Sequence, residues 1–206
     1  MRVNGADYRT VWLEGSVVRM IDQPRIPHEF RIADLHTPLE TARAIRDMIV
    51  RGAPAIGGAG AAGMAQAVLL ASGDDWRRQV REAAEALAAS RPTAQDLFHA
   101  IAHVQRAIDA APDLEAARAD AVAAAQALAD GSVRDCEAIG RVGAEVIPER
   151  GRVLTHCNAG RPGSGGGFRR REDPPRYSRR QRRGPHHGRR RGGPRDCWHR
   201  PRGPER

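Results

Sequence analysis

The chain has no lysine: all 34 of its basic residues are arginine. Arginine, alanine, glycine and proline have GC-rich codons and lysine does not, so the gene reads as GC-rich and bacterial. Cysteine is nearly absent too. Cys136, Cys157 and Cys197 show no paired spacing, which excludes a disulfide framework and fits a reduced cytoplasm. No signal peptide and no 18-residue apolar run is evident, so neither secretion by that route nor a membrane span is expected.

A further absence divides the chain. Residues 161–206 contain no Ala, Val, Ile, Leu or Met, and their only large apolar or aromatic side chains are Phe168, Tyr177 and Trp198. They hold 16 Arg against 4 acidic residues, with 9 Gly and 7 Pro. Such a segment cannot bury enough apolar surface to offset chain entropy, so disorder is expected. The preceding 160 residues carry 18 Arg against 21 acidic residues. The high isoelectric point therefore belongs to the tail, and the body is a mildly acidic, Ala-rich globular chain.

Within the body, "RTVWLEGSVVRMID" (9–22) has two β-rich runs around Glu14-Gly15, a hairpin pattern, and 28–34 reads as a third strand. Thr37-Pro38 with Glu40 forms a helix start of the capping-box kind. Leu39, Ala42, Ile45, Met48 and Ile49 fall on one face of that helix. Arg51-Gly52-Ala53-Pro54 ends it. "AIGGAGAAGMAQAVLLA" then reads as a buried helix packed closely by small residues. Four more helices are expected at about 75–89, 93–110, 113–130 and 134–148. Thr93 with Asp96 caps the second of them, and Leu97, Ile101, Val104 and Ile108 form its stripe. Cys136 is read as core. "GRVLTH" (151–156) has the pattern of a parallel strand entering an α/β unit. The expected architecture is a mainly α domain with a small β element over 1–150. The first strand and turn of a truncated α/β Rossmann-like domain follow at 151–160, then a disordered tail at 161–206.

Three stretches carry candidate chemistry. In "VRGAPAIG" (50–57), Arg51 on a Gly-containing turn before a helix can present charge and backbone N–H groups to a phosphate. A plain helix–loop–helix corner is the competing reading. "SRPTAQDLF" (90–98) places Arg91 before another helix, where an exposed linker Arg is the alternative. "LTHCNAG" (154–160) puts Cys157 where open α/β sheets hold ligands. A thiolate there could do acid–base or nucleophilic work, and a small buried Cys is the alternative. His156 has no second ligand at metal spacing, and neither has the tail pair His186-His187, so no metal is expected.

"VRMIDQPRIP", "AIRDMIVRGAPAIGGAGAAGMAQA", "SRPTAQDLFHAI", "DCEAIGRVGAEVI" and "VLTHCNAG" occur in that order. Together they resemble the N-terminal half of the methylthioribose-1-phosphate isomerases of methionine salvage, over about residues 10–160. The wider group includes ribose-1,5-bisphosphate isomerases and the regulatory subunits of eukaryotic initiation factor 2B. The resemblance implies a helical domain followed by a Rossmann-like one, usually in a homodimer, with a sugar phosphate as ligand and no cofactor. It implies substrate binding by Arg51, Gly52, Ala53 and Arg91, and catalysis by Cys157. C1 of the sugar carries a phosphate ester, so an acid must assist ring opening and a base must help move hydrogen from C2 to C1. The family's second catalytic group, an Asp, lies farther along its Rossmann-like domain and is not in this chain. A Gln and an Asn-Lys pair that complete the family's site are missing as well.

After Gly160 the family continues with small apolar residues, whereas this chain turns to Arg, Gly and Pro. Arg161 to Gly165 can be written CGG CCT GGC AGC GGT, with a Gly codon next. Shifted by one base, those codons read Gly-Leu-Ala-Ala-Val. The expectation is a frameshifted or truncated product with impaired activity, poorly soluble or partly unfolded around 150–206. The competing reading is a functional tail that binds nucleic acid non-specifically through phosphates. The tail's lack of a regular period and its few aromatics argue against that.

Overall fold

A computed structural model describes residues 2–3 and 6–147. Two short strands, β1 (Arg2–Val3) and β2 (Ala6–Asp7), pair antiparallel at the start; no sequence pattern announced them. The hairpin forms as expected from β3 (Val11–Glu14) and β4 (Val17–Ile21), joined through Gly15-Ser16. β5 (Ile32–Leu35) adds to the other edge of β4, antiparallel, with Ile21 opposite Ile32. A 3₁₀ turn at Gln23–Arg25 links β4 to β5.

Five helices follow: α1 (Pro38–Arg46), α2 (Ala53–Leu70), α3 (Trp76–Ser90), α4 (Gln95–Ala110) and α5 (Leu114–Val146). The described chain is thus mostly helical with a small antiparallel sheet. α1 starts at the expected Thr37 cap, with Glu40 reaching one residue farther back than a strict capping box. Thr37 accepts from the Glu40 N–H at 3.2 Å, and Glu40 Oε2 accepts from the His36 N–H at 2.7 Å.

The end of α1 differs from expectation. The helix stops at Arg46, with Asp47 as C-cap. The Met48 N–H bonds to the Ile45 carbonyl and the Ile49 N–H to the Ala44 carbonyl. This is a Schellman motif, which places the residue after the cap in left-handed backbone. Met48 occupies that position with φ 60°. The chain therefore leaves the helical register before Met48, whose side chain is 39 % exposed, while Leu39 is 52 % exposed. Ala42 and Ile45 are buried as expected, and Ile49 packs against the core.

α2 is the centre of the bundle and packs against the other four helices and the hairpin. Its 18 residues have a mean hydropathy of 1.3, long and apolar enough to cross a membrane by composition alone. That corrects the expectation of no such run; 72 % of the helix is buried inside the fold. One polar side chain sits in this apolar helix. Gln66 is fully buried and spans three elements: it accepts from Thr41 Oγ1 on α1 at 2.8 Å. It also donates to the Ser16 carbonyl at 3.0 Å and the Leu35 carbonyl at 2.8 Å. The sheet is thereby fastened to the helices.

Two expectations about later helices fail. α4 begins at Gln95 with Ala94 as N-cap and no side-chain cap bond, so Thr93 does not cap it. Its stripe of Leu97, Ile101, Val104 and Ile108 is buried as expected. The two helices expected at 113–130 and 134–148 are one 33-residue helix, α5. Gly131 lies between the two expected ranges, and a single glycine costs a helix only about 1 kcal/mol. Asp130 beside it is held by Arg9 at 2.5 Å and Gln126 at 3.0 Å. Cys136 lies on this helix half-buried rather than in the core. The strand at 151–156, the Rossmann-like domain it would open and the tail at 161–206 all lie outside the described residues.

Candidate functional site

The Arg51 loop is set by three local features. Gln23, at the end of the sheet, receives its direction from a backbone bond to the Ile49 carbonyl at 3.0 Å. Its Nε2 donates to the Arg51 carbonyl at 3.3 Å. Gly52 then takes φ 97°, a conformation open to glycine and strained for other residues, and acts as the N-cap of α2. Ala53 and Pro54 follow as the first helical turn, where Pro loses nothing by lacking an N–H. Arg51, Ala53 and Pro54 are exposed and Gly52 is half-buried. Gln23 is the supporting residue that sequence reasoning missed; nothing in "MIDQPRIP" marks it as a brace for a loop 28 residues on.

Arg91 is the C-cap residue of α3, and its carbonyl accepts from the Ala94 N–H at 3.0 Å, which turns the chain into α4. Its Nη1 is buried and has no hydrogen-bond partner among the described residues. A donor on a permanently charged group, placed out of water without an acceptor, is a cost that an anionic ligand would relieve.

Helix packing relates these two starts. A Cβ on Gly57 would lie 2.9 Å from the Asp96 carbonyl oxygen, and one on Gly60 2.5 Å from Leu97 Cδ1. Positions later in α2 thus meet positions later in α4, so the two helices run the same way where they touch. Their N-terminal ends sit together, one led by Arg51 and the other by Arg91. Neither start has a side-chain cap. The arrangement brings the positive ends of two helix dipoles to one side of the bundle, each with an arginine shortly before it in the sequence.

Two cavities lie elsewhere. One of about 370 Å³ runs between α3 and α4, lined by Arg77, Arg81, Gln105 and Asp109 among others. Another of about 330 Å³ lies between β3, α2 and α5 and reaches Pro54 and Ala55. Arg51 and Arg91 line neither of these two. No group of three or more His, Cys, Asp or Glu among the described residues could hold a metal ion. Cys157 lies outside the described residues.

The sequence pattern of the initiation factor 2 subunit family matches residues 49–164, more than half the chain. The chain belongs to that family. Among its relatives is the methylthioribose-1-phosphate isomerase of Cereibacter sphaeroides, 44 % identical over 167 residues, covering 78 % of this chain and 45 % of the relative. The enzyme of that name from Roseiflexus castenholzii is 46 % identical over 164 residues, 74 % of this chain and 46 % of the relative. The crystal structure of 5-methylthioribose 1-phosphate isomerase from Pyrococcus horikoshii is similar with a TM-score of 0.72. It shares 34 % identity and covers 77 % of this chain and 46 % of that one. The delta subunit of translation initiation factor eIF-2B from A. fulgidus is similar as well, at a TM-score of 0.71 and 32 % identity. That match covers 78 % of this chain and 48 % of the subunit. The chain spans about half the length of the curated relatives it matches.

Proposed function

We propose that this chain carries the N-terminal half of an aldose–ketose isomerase that converts 5-methylthioribose 1-phosphate to 5-methylthioribulose 1-phosphate. The observation that carries this reading is the junction of α2 and α4, which brings the Arg51 and Arg91 helix starts side by side. Arg51, Gly52 and Ala53 hold the substrate, with Arg91 beside its phosphate. Arg91 Nη1, buried and without a partner among the described residues, would gain a charge-assisted bond if its side chain turned toward a phosphate oxygen. Cys157, at the end of the 151–156 segment, serves as one of the two groups that ring opening and hydrogen transfer require.

The second group belongs to the half of the relatives that this chain does not cover. We assign residues 161–206 to an out-of-frame reading of that half, an assignment supported by their composition and by a family match that ends at 164. The 206-residue chain is accordingly expected to bind substrate weakly and not to turn it over. The intact protein would act in the cytoplasm as a homodimer.

A frame-corrected chain tests the reading. It should isomerise methylthioribose 1-phosphate, lose turnover in Cys157→Ser, and show a raised KM in Arg51→Ala. No turnover of this substrate or of ribose 1,5-bisphosphate by a folded protein would sink the enzyme reading. It would leave the regulatory-subunit reading, the less supported one, whose basis is the similarity to the eIF-2B delta subunit.

A further inference from the structure

α4 carries a second pair of ligand-type side chains that the isomerase reading does not use. His99 and His103 are four residues apart and so share one face of the helix, one turn from each other. That face lies away from the buried stripe of Leu97, Ile101, Val104 and Ile108; His99 is exposed and His103 half-buried. The ring centroids are 6.5 Å apart and the ring planes lie within 20° of parallel. Among the described residues no hydrogen-bond partner holds either ring.

Two histidines at this spacing on a helix can bind one metal ion through both imidazoles. At 6.5 Å between centroids the rings do not yet converge, so metal binding requires a turn of their side-chain torsions that brings one nitrogen of each to about 2.0–2.1 Å from a common point. No third His, Cys, Asp or Glu joins them among the described residues, so water must complete the coordination. Imidazole excludes Mg²⁺ and Ca²⁺, which take oxygen ligands. A two-nitrogen, water-completed set suits the tetragonal geometries of Cu²⁺ and Ni²⁺, and Cu²⁺ stands at the top of the affinity order.

We propose that His99 and His103 form a bidentate surface site for a divalent transition cation, Cu²⁺ or Ni²⁺ in preference to Zn²⁺. Binding replaces two metal-bound waters by two imidazole nitrogens, with no change of oxidation state. A filled site clamps one turn of α4, the helix that follows Arg91 in the chain.

His156, His186, His187 and His199 can also bind metal, so total metal uptake does not read this site. The melting temperature of the helical fold does. The full chain should be melted by circular dichroism with and without Ni²⁺, alongside His99→Gln, His103→Gln and a Mg²⁺ control. At about a hundredfold excess over Kd, Ni²⁺ should raise the wild-type melting temperature by roughly 5–10 °C. Each variant should melt like the metal-free wild type and lose the rise, and Mg²⁺ should give none. No rise in the wild type, or an equal rise in either variant, overturns the assignment. His99 is exposed, so His99→Gln keeps the test valid even if His103→Gln weakens folding.

Discussion

Replacing Gln66 by Leu keeps the side chain's approximate size and removes all of its hydrogen bonding. The wild-type amide joins α1, α2, the hairpin loop and β5 through bonds of 2.8, 3.0 and 2.8 Å. In Gln66→Leu the Thr41 hydroxyl, fully buried, loses its acceptor, and the Ser16 and Leu35 carbonyls lose their donor. A buried group left without a partner costs about 1–3 kcal/mol. Ser16 and Leu35 are only half-buried, so water compensates there in part. The total is about 2–5 kcal/mol, a large share of the roughly 5–15 kcal/mol that holds a typical domain folded. For a domain of this size it corresponds to a fall of roughly 4–20 °C in melting temperature. Urea and thermal denaturation followed by circular dichroism measure it. A loss below about 1 kcal/mol would refute the reasoning. So would strict additivity of Gln66→Leu and Thr41→Val in a double-mutant cycle, since residues sharing a hydrogen bond should couple.

Other substitutions probe the same fold from different sides. Met48→Gly should stabilise the protein by about 0.5–1 kcal/mol, because glycine takes left-handed backbone without a Cβ penalty; a lower urea midpoint would contradict the Schellman reading. Gly57→Ala drives a methyl group onto the Asp96 backbone and should cost about 1–3 kcal/mol, read as a lower melting temperature, with α4 displaced from the Arg51 loop. Arg9 first and Gln126 second hold the Asp130 carboxyl below its ordinary range. A carboxylate with a depressed native pKa stabilises above its unfolded pKa, and this contribution disappears as pH falls through the native one. Arg9 and Asp130 are 40 % and 36 % exposed, so the effect is small and fades in salt. Asp130→Asn should flatten the acid limb of the stability–pH curve, and an unchanged limb at low salt would argue against the pair.

The legible parts of the sequence were those where local chemistry and tertiary packing agree. Thr37-Pro38 with Glu40 announces a helix start, and the start is there. The spacing of Leu97, Ile101, Val104 and Ile108 announces a buried face, and all four are buried. The failures have the opposite character. Met48 continues the helical pattern of α1, yet the backbone turns left-handed under it, in a position usually given to glycine. Two helices are expected on either side of 131–133, but α5 runs through Gly131 beside the Arg9–Asp130 pair, 121 residues apart in sequence. Thr93 looks like a cap, but the Arg91–Ala94 turn shifts the helix start past it. For the candidate site, the sequence marked Arg51 and Arg91 separately. Only the close approach at Gly57 shows that their helices start together, and the support from Gln23 leaves no local signature. Cys157 rests on its sequence context and the family resemblance.

In the proposed function the starts of α2 and α4 form one seat for a sugar phosphate. Backbone-amide NMR of the 206-residue chain, titrated with 5-methylthioribose 1-phosphate, tests it most directly. Shifts are expected at Gly52, Ala53, Gln95 and Asp96 that move together, are competed by inorganic phosphate, and vanish in Arg91→Ala. Shifts confined to the arginines of 161–206, or unchanged by that substitution, would contradict it.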